Sequence, residues 1–201
     1  MTKVSDRLNR LAESATLAMA RMSRELQEQG HDVVALSLGE PDFDTPDFIK
    51  EAAKKAIDDN FSHYTPVAGL PELRNAIVQK FKRDNNLEYT ADQIVTSTGA
   101  KQSLANVCLS LLNPGDEVLL PCPYWVSYTE IIKLSEGVPV EVPSNIDTDF
   151  KVTPKQLEAA ITPRTKLLMF SSPCNPSGTV YTKEELEAIA KMLEKYPNIY
   201  V

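Results

Sequence analysis

Histidine is scarce in this chain: His31 and His63 are the only two, and neither stands at a spacing from Ser, Cys or Asp that suggests a nucleophile relay or a metal site. Both read as exposed residues. Cysteine is equally thin, and Cys108, Cys122 and Cys174 are odd in number and at no metal-ligand spacing, which argues against a disulfide framework or a zinc site. Reduced thiols are the expectation. Positive charge is in deficit, with 21 Lys and Arg against 28 Asp and Glu and a net charge of −7. A sequence-independent nucleic-acid binder needs clustered cations to displace counterions, so nucleic acid is excluded as a partner. No apolar run approaches the roughly 20 residues that span a bilayer. The N-terminal stretch mixes acids with bases instead of pairing a basic start with an apolar segment. These absences point to a cytoplasmic protein with no membrane partner.

What is present is a globular composition. Hydrophobic residues make up 42% of 201 residues, enough for one sizeable core and for one domain or one and a half. From Val4 to Gln29, Leu8, Leu11, Ala15, Ala18, Met22 and Leu26 recur at a spacing of three to four, which predicts a helix ended by Gly30. Val33 to Leu38 reads as a short strand feeding the Gly39-Glu40-Pro41-Asp42 loop. Thr45 followed by Pro46 predicts a helix start, with the helix running to about Asn60, and Leu70 to Asp84 repeats the device with Pro71.

From Gln93 onward the pattern becomes regular. Apolar runs at Ile94–Thr98, Glu117–Leu120, Val138–Val142 and Lys166–Ser171 alternate with helical stretches, which predicts a mostly parallel, covered sheet. Capping boxes at Thr153 to Gln156 and Thr182 to Glu185 support two of the helices. Asn198 to Val201 reads as the beginning of a further strand, so the expectation is an incomplete domain. Cut there, a parallel sheet would expose apolar surface and unpaired backbone, and the isolated chain is expected to aggregate or unfold readily.

Four loops are placed where open parallel sheets put ligand sites, after strands and at helix starts. Ser97-Thr98-Gly99-Ala100-Lys101-Gln102 opens a helix, whose N-terminus favours an anion such as phosphate; read alone it is an ordinary strand-to-helix turn. Pro121-Cys122-Pro123-Tyr124-Trp125-Val126 carries the only tryptophan on a stiff turn, where a ring can stack on a flat cofactor; read alone, Trp125 fills the core. Ser171-Ser172-Pro173-Cys174-Asn175-Pro176-Ser177-Gly178 is a rigid polar loop, and its plainer reading is a tight turn in which Asn175 bonds the local backbone. His63 to Arg74, the last, offers Tyr64 as a hydroxyl for an anion or as a surface tyrosine with no role.

Taken in order, Ser37-Leu38-Gly39-Glu40-Pro41-Asp42-Phe43, Tyr64 to Leu73, Thr98 to Gln102, Pro123-Tyr124-Trp125 and Asn175-Pro176-Ser177-Gly178 resemble class I aminotransferases of the fold-type-I pyridoxal phosphate superfamily. The chain looks most similar to the bacterial aspartate aminotransferases, from about residue 5 to its last residue. The resemblance implies a three-layer αβα fold with a mostly parallel sheet, truncated. Residues 1–47 would form an N-terminal arm and part of a small domain, and residues 48–201 the N-terminal portion of the large pyridoxal phosphate domain.

It also implies roles. Gly39 would bring its N–H to the substrate α-carboxylate, and the Gly99-Ala100-Lys101 turn would hold the cofactor phosphate. Lys101 would attract a distal carboxylate, Trp125 would stack on the pyridine ring, and Asn175 would hydrogen-bond its phenolic oxygen and touch the substrate. Tyr64 would reach the phosphate of a neighbouring subunit, implying a homodimer, and Ser14 and Thr16 would lie close to the substrate side chain. The family's reaction is a ping-pong transfer of an amino group from an L-amino acid, here aspartate, to a 2-oxo acid such as 2-oxoglutarate. The resemblance places the lysine that carries the cofactor, the acid paired with the pyridinium nitrogen and the carboxylate-binding arginine beyond Val201. No lysine here is assigned that role, and the 201 residues alone are expected to bind the cofactor only weakly. Two alternatives remain open: a catalytically inactive scaffold keeping part of the cofactor pocket, and a related enzyme acting on alanine, aromatic amino acids or prephenate, or carrying out β-elimination.

Overall fold

The structure is a computed structural model that describes residues 4–36 and 38–201. Its elements, in chain order, are α1 (Asp6–Asn9), α2 (Ala15–Glu28), α3 (Asp47–Asp58), α4 (Pro71–Asn85), α5 (Ala100–Leu111), β1 (Glu117–Pro121), α6 (Ser127–Leu134), β2 (Val138–Val142), α7 (Pro154–Ala160), β3 (Thr165–Leu168) and α8 (Lys183–Leu193). They divide into two compact units, one of the described residues of Met1–Val33 with Leu104–Val201, the other of those of Val34–Ser103.

The first unit is built on three parallel strands in the order β2-β1-β3. Period-2 alternation sorts their side chains onto two faces. Val118, Leu120, Leu167 and Met169 pack with Cys108 and Leu112 at the end of α5 and with Tyr128, Ile131 and Ile132 of α6. Leu119, Val142 and Leu168 face the other way, against Leu157 of α7 and Ile189 and Met192 of α8. This is the three-layer αβα arrangement with a parallel sheet. Beyond β3, Tyr200 bridges Leu167: its N–H donates to Lys166 O at 3.0 Å and its carbonyl accepts from Leu168 N at 2.8 Å.

The capping boxes of α7 and α8 form as predicted, with Thr153 Oγ1 accepting from Gln156 N at 3.3 Å and Thr182 Oγ1 from Glu185 N at 3.2 Å. At the foot of β1 the Glu117 carboxylate, 4% exposed, is held by the Thr162 hydroxyl and the Arg164 guanidinium. These bonds keep its carboxyl below the usual range, the Thr162 bond most, against the opposing effect of burial.

Three predicted elements are corrected. The single helix expected over Val4–Gln29 is two, α1 and α2. Ser14 leaves helical geometry at ψ 114 and its hydroxyl accepts from Leu17 N, starting a new helix, while Ala12 N–H donates to the Glu130 carboxylate at 2.8 Å. The strand expected over Ile94–Thr98 is absent: Thr96 N–H donates to Ala68 O at 3.0 Å, a loop carbonyl, and among the described residues no strand pairs with the run. The strand expected over Val33–Leu38 is absent at the described positions, where Val34 and Leu36 are 79% and 90% exposed; Ser37 lies outside the described residues. The helix start at Thr45-Pro46 moves by one residue, with Pro46 at the N-cap of α3.

The second unit has no sheet among its described residues. In it α4 is tied to the 3-10 turn Ala91–Gln93 by Arg74 Nη1 donating to Ala91 O at 3.0 Å, and Phe81 packs on Tyr89 at 5.6 Å. Asn86, in the left-handed region, caps its end.

Candidate active site

In the first unit the chain leaves β1 for β2 on one side through α6, and reaches β3 on the other side through α7. Strand order therefore reverses between β1 and β3. In open parallel sheets the loops leaving the strand ends at such a reversal diverge and leave a crevice for a ligand. Two of the sequence-predicted loops leave those two strands, one after Pro121 and the other after the run ending in Phe170. They are joined there: Cys174 Sγ donates to Pro123 O at 3.3 Å, and Pro121, Pro123, Tyr124, Ser171 and Cys174 line one cleft.

Trp125 sits where the first loop enters α6. Its carbonyl accepts from Tyr128 N at 2.9 Å, and its ring meets that of Tyr128 edge-on, 5.6 Å between centroids at 88°. It is half-buried on the rim of the core, so the core-filling reading accounts for part of the ring only. Tyr124 beside it donates to Glu141 Oε1 at 2.5 Å and accepts from Thr129 Oγ1 at 2.8 Å. Burial, and then the Glu141 carboxylate, push the Tyr124 hydroxyl above its ordinary value, so it remains a donor at neutral pH. Burial, followed by the charge of Glu141, likewise raises the Cys122 thiol.

The second loop closes on itself. Cys174 N donates to Thr179 O at 2.9 Å, Gly178 N to Cys174 O at 2.7 Å, and the hydroxyls of Ser177 and Thr179 meet at 2.8 Å. Gly178 takes φ +73, which a residue with a Cβ rarely adopts. Asn175 stands exposed at the tip of this turn, and among the described residues no group hydrogen-bonds its amide, so the local-backbone reading is not realised. The amide is available to a ligand.

The second unit brings together the other two loops. Thr96 donates from N and from Oγ1 to Ala68 O, at 3.0 and 3.3 Å, which places Tyr64–Leu73 beside the segment that leads into Gly99. Gly99 has φ +84 with no atom within 4 Å of where a Cβ would stand, and α5 begins at the next residue. The Gln102 side chain folds back to accept from Thr98 N. Ala100 and Lys101 occupy the first, exposed turn of α5, and Tyr64 and Gly39 are exposed. Ser14 caps α2 in the first unit and Thr16, like it, is half-buried. Among the described residues no group of His, Cys, Asp and Glu could hold a metal ion, and no helix is long and apolar enough to cross a membrane.

Two loops joined at a strand reversal, one bearing an aromatic ring and the other an exposed amide, and elsewhere a glycine turn opening a helix, are features shared by many folds; the family is settled by comparison. The sequence model of the family described as aminotransferase class I and II matches residues 31–201. The chain belongs to the class I and II aminotransferases. The aspartate/prephenate aminotransferase of Cereibacter sphaeroides is 51% identical over the whole chain and half of its own length. Among solved structures, the aspartate aminotransferase of Rhizobium meliloti superposes with a TM-score of 0.95 at 40% identity, over 99% of this chain and 50% of that one. That of Thermus thermophilus with maleate gives 0.94 at 44%, over 100% and 52%. The chain thus spans about half the length of the relatives it matches. Class I aminotransferases use pyridoxal phosphate.

Sequence reasoning passed over Tyr124, Thr129 and Glu141. Tyr124 stood inside a quoted motif without a role. Glu141 carries no local signal, since its bond to Tyr124 crosses 17 positions.

Proposed function

We propose that the protein carrying this chain is a pyridoxal-phosphate-dependent aminotransferase, with L-aspartate as donor and 2-oxoglutarate as acceptor. The observation that carries the reading is the meeting of the Trp125 and Asn175 loops at the strand reversal, joined through Cys174 and Pro123. There a planar ring and an exposed amide are offered from the carboxyl ends of neighbouring parallel strands.

The residues present fit the cofactor. Nothing stands within 4 Å of where a Cβ at Gly99 would be, and the exposed first turn of α5 offers the positive end of the helix dipole to an anion. Gly99, Ala100 and Lys101 therefore hold the phosphate, Trp125 stacks on the ring, and Asn175 donates to the ring's phenolic oxygen and to substrate. Pyridoxal phosphate, when bound, supplies the electron sink for the reaction. This chain's own groups bind and orient: Gly39 N–H takes the substrate α-carboxylate, and the Lys101 ammonium favours a second carboxylate. Tyr64 reaches the phosphate bound by a second copy, so the assembly is a homodimer, and its location is the cytoplasm. Residues 48–201 contribute to the large domain and residues 1–47 to the arm and small domain. No residue here is assigned the proton-transfer or cofactor-carrying role.

Maleate, a dicarboxylate, in the Thermus structure supports an acidic substrate, and the name of the Cereibacter relative adds prephenate as an acceptor. A panel of donors and acceptors with the full-length protein tests the reading. L-Aspartate with 2-oxoglutarate or prephenate is expected to give the highest kcat/KM. A preference for alanine or an aromatic donor overturns the substrate assignment.

A further inference from the structure

Trp125 has to present a fixed face if a planar ring is to stack on it, because a mobile indole would lose side-chain freedom on every binding event. Three of the ties on its surroundings involve the loop that carries it. Its own carbonyl is bonded by Tyr128 N at 2.9 Å, and the carbonyl of Pro123 is bonded by the Cys174 thiol at 3.3 Å. The third is Tyr124, whose hydroxyl joins two elements that flank the loop: it accepts from Thr129 Oγ1 of α6 at 2.8 Å and donates to Glu141 Oε1 of β2 at 2.5 Å. The hydroxyl protons run one way along this chain and end on a carboxylate, an order in which each bond polarises the next.

The chain is not part of the core. Tyr124 is half-buried, Glu141 is exposed, and water can replace either partner if the other is removed. Removing the hydroxyl alone leaves the Tyr124 ring packed against the cluster around Ile131 and Leu120. What the bond adds is geometry, since it ties the backbone immediately before Trp125 to β2.

We propose that Tyr124 is a positioning residue: its hydroxyl, clamped between Glu141 and Thr129, fixes the orientation of the Trp125 indole and thereby the affinity of the site for a planar phosphorylated ring. The inference rests on the reading of Trp125 as the stacking surface. It assigns no chemistry to Tyr124 itself.

Tryptophan fluorescence of the ligand-free full-length protein, with Trp125→Phe as the blank, reads the mobility and exposure of this indole directly. Tyr124→Phe and Glu141→Ala are each expected to raise the acrylamide quenching of the Trp125 emission, Tyr124→Phe roughly twofold, and the double variant is expected to match Tyr124→Phe, because the bond that Glu141→Ala breaks is one that Tyr124→Phe already removes. Glu141→Gln keeps an oxygen acceptor and is expected to stay near the parent value. Far-ultraviolet circular dichroism is expected to be the same throughout. Pyridoxal phosphate affinity should fall in step with the quenching.

Unchanged quenching in Tyr124→Phe and Glu141→Ala overturns the positioning role, as does a double variant equal to the sum of the singles. If the quenching behaves as expected and the parent protein binds no pyridoxal phosphate, the clamp on Trp125 stands and the cofactor reading falls.

Discussion

Gly69 lies so close against Thr96 that a Cβ added to the glycine would stand 2.1 Å from the Thr96 hydroxyl oxygen and 2.9 Å from its methyl carbon. This contact holds the Tyr64 loop beside the segment that leads into the Gly99 turn, together with the Thr96 bonds to Ala68 O. The backbone of Gly69, at φ +101, is itself in a region that L side chains rarely adopt.

Gly69→Ala is therefore expected to destabilise the protein by about 2 to 4 kcal/mol, from overpacking and from the backbone conformation together. Urea unfolding checks this. Adding Thr96→Ala should recover part of the loss, the overpacking part, and leave the backbone part. Full recovery would show that the backbone conformation costs nothing.

Glu117 predicts an acid-side loss of stability. Its folded carboxyl lies below the ordinary 4.5, so its bonds to Thr162 and Arg164 contribute fully above pH 4.5 and are lost as the pH falls through the lower folded value. Glu117→Ala is expected to cost about 2 kcal/mol at neutral pH, since it strips a charged acceptor from Thr162 and Arg164. The unfolding midpoint of the variant should fall less than that of the parent between pH 5 and the acid limit. A parallel fall in both would contradict the assignment.

The three thiols should label in a set order. Cys108 is fully buried, and burial pushes its thiol to about 11, so it is both inaccessible and protonated at neutral pH. Alkylation under native conditions, read by mass spectrometry, is expected to reach Cys122 and Cys174 first and Cys108 only on unfolding. By linkage, the raised Cys108 value contributes stability that is fully present below the ordinary 9.0 and lost as the pH rises toward 11.

Helix caps predict modest, local effects. Thr182→Ala and Thr153→Ala each remove an acceptor for a backbone N–H at the start of α8 and α7, and each should lower stability by about 1 kcal/mol. Thr→Ser at either position should retain most of it.

Much of this was legible in the sequence because the signals are local. Thr153, Thr182 and Pro71 mark helix starts within four residues, and the runs at Glu117–Leu120 and Val138–Val142 carry apolar strand chemistry between breakers. The misread segments are those decided elsewhere in the chain. Ile94–Thr98 has the composition of a strand, but a strand exists only where a partner supplies a ladder, and Thr96 is bonded to a loop. The apolar spacing of Val4–Gln29 continues through the break at Ser14, whose role as a cap rests on a backbone turn that periodicity does not encode, while Glu130 satisfies Ala12 from far along the chain. The Pro-rich loops that carry Trp125 and Asn175 were legible at strand ends, while the roles proposed for the two residues came from the family resemblance. The Tyr124 clamp was not legible, because Glu141 lies on the next strand, and only parallel pairing brings it alongside.

The most direct measurement is equilibrium binding of pyridoxal phosphate to the full-length protein and to its Gly99→Val, Trp125→Ala and Asn175→Ala variants, with inorganic phosphate as competitor. Each variant is expected to lose affinity by roughly tenfold or more, from lost turn geometry, stacking or a hydrogen bond. Phosphate should compete in the parent protein and much less in Gly99→Val. Equal affinity across all four folded proteins would contradict the account.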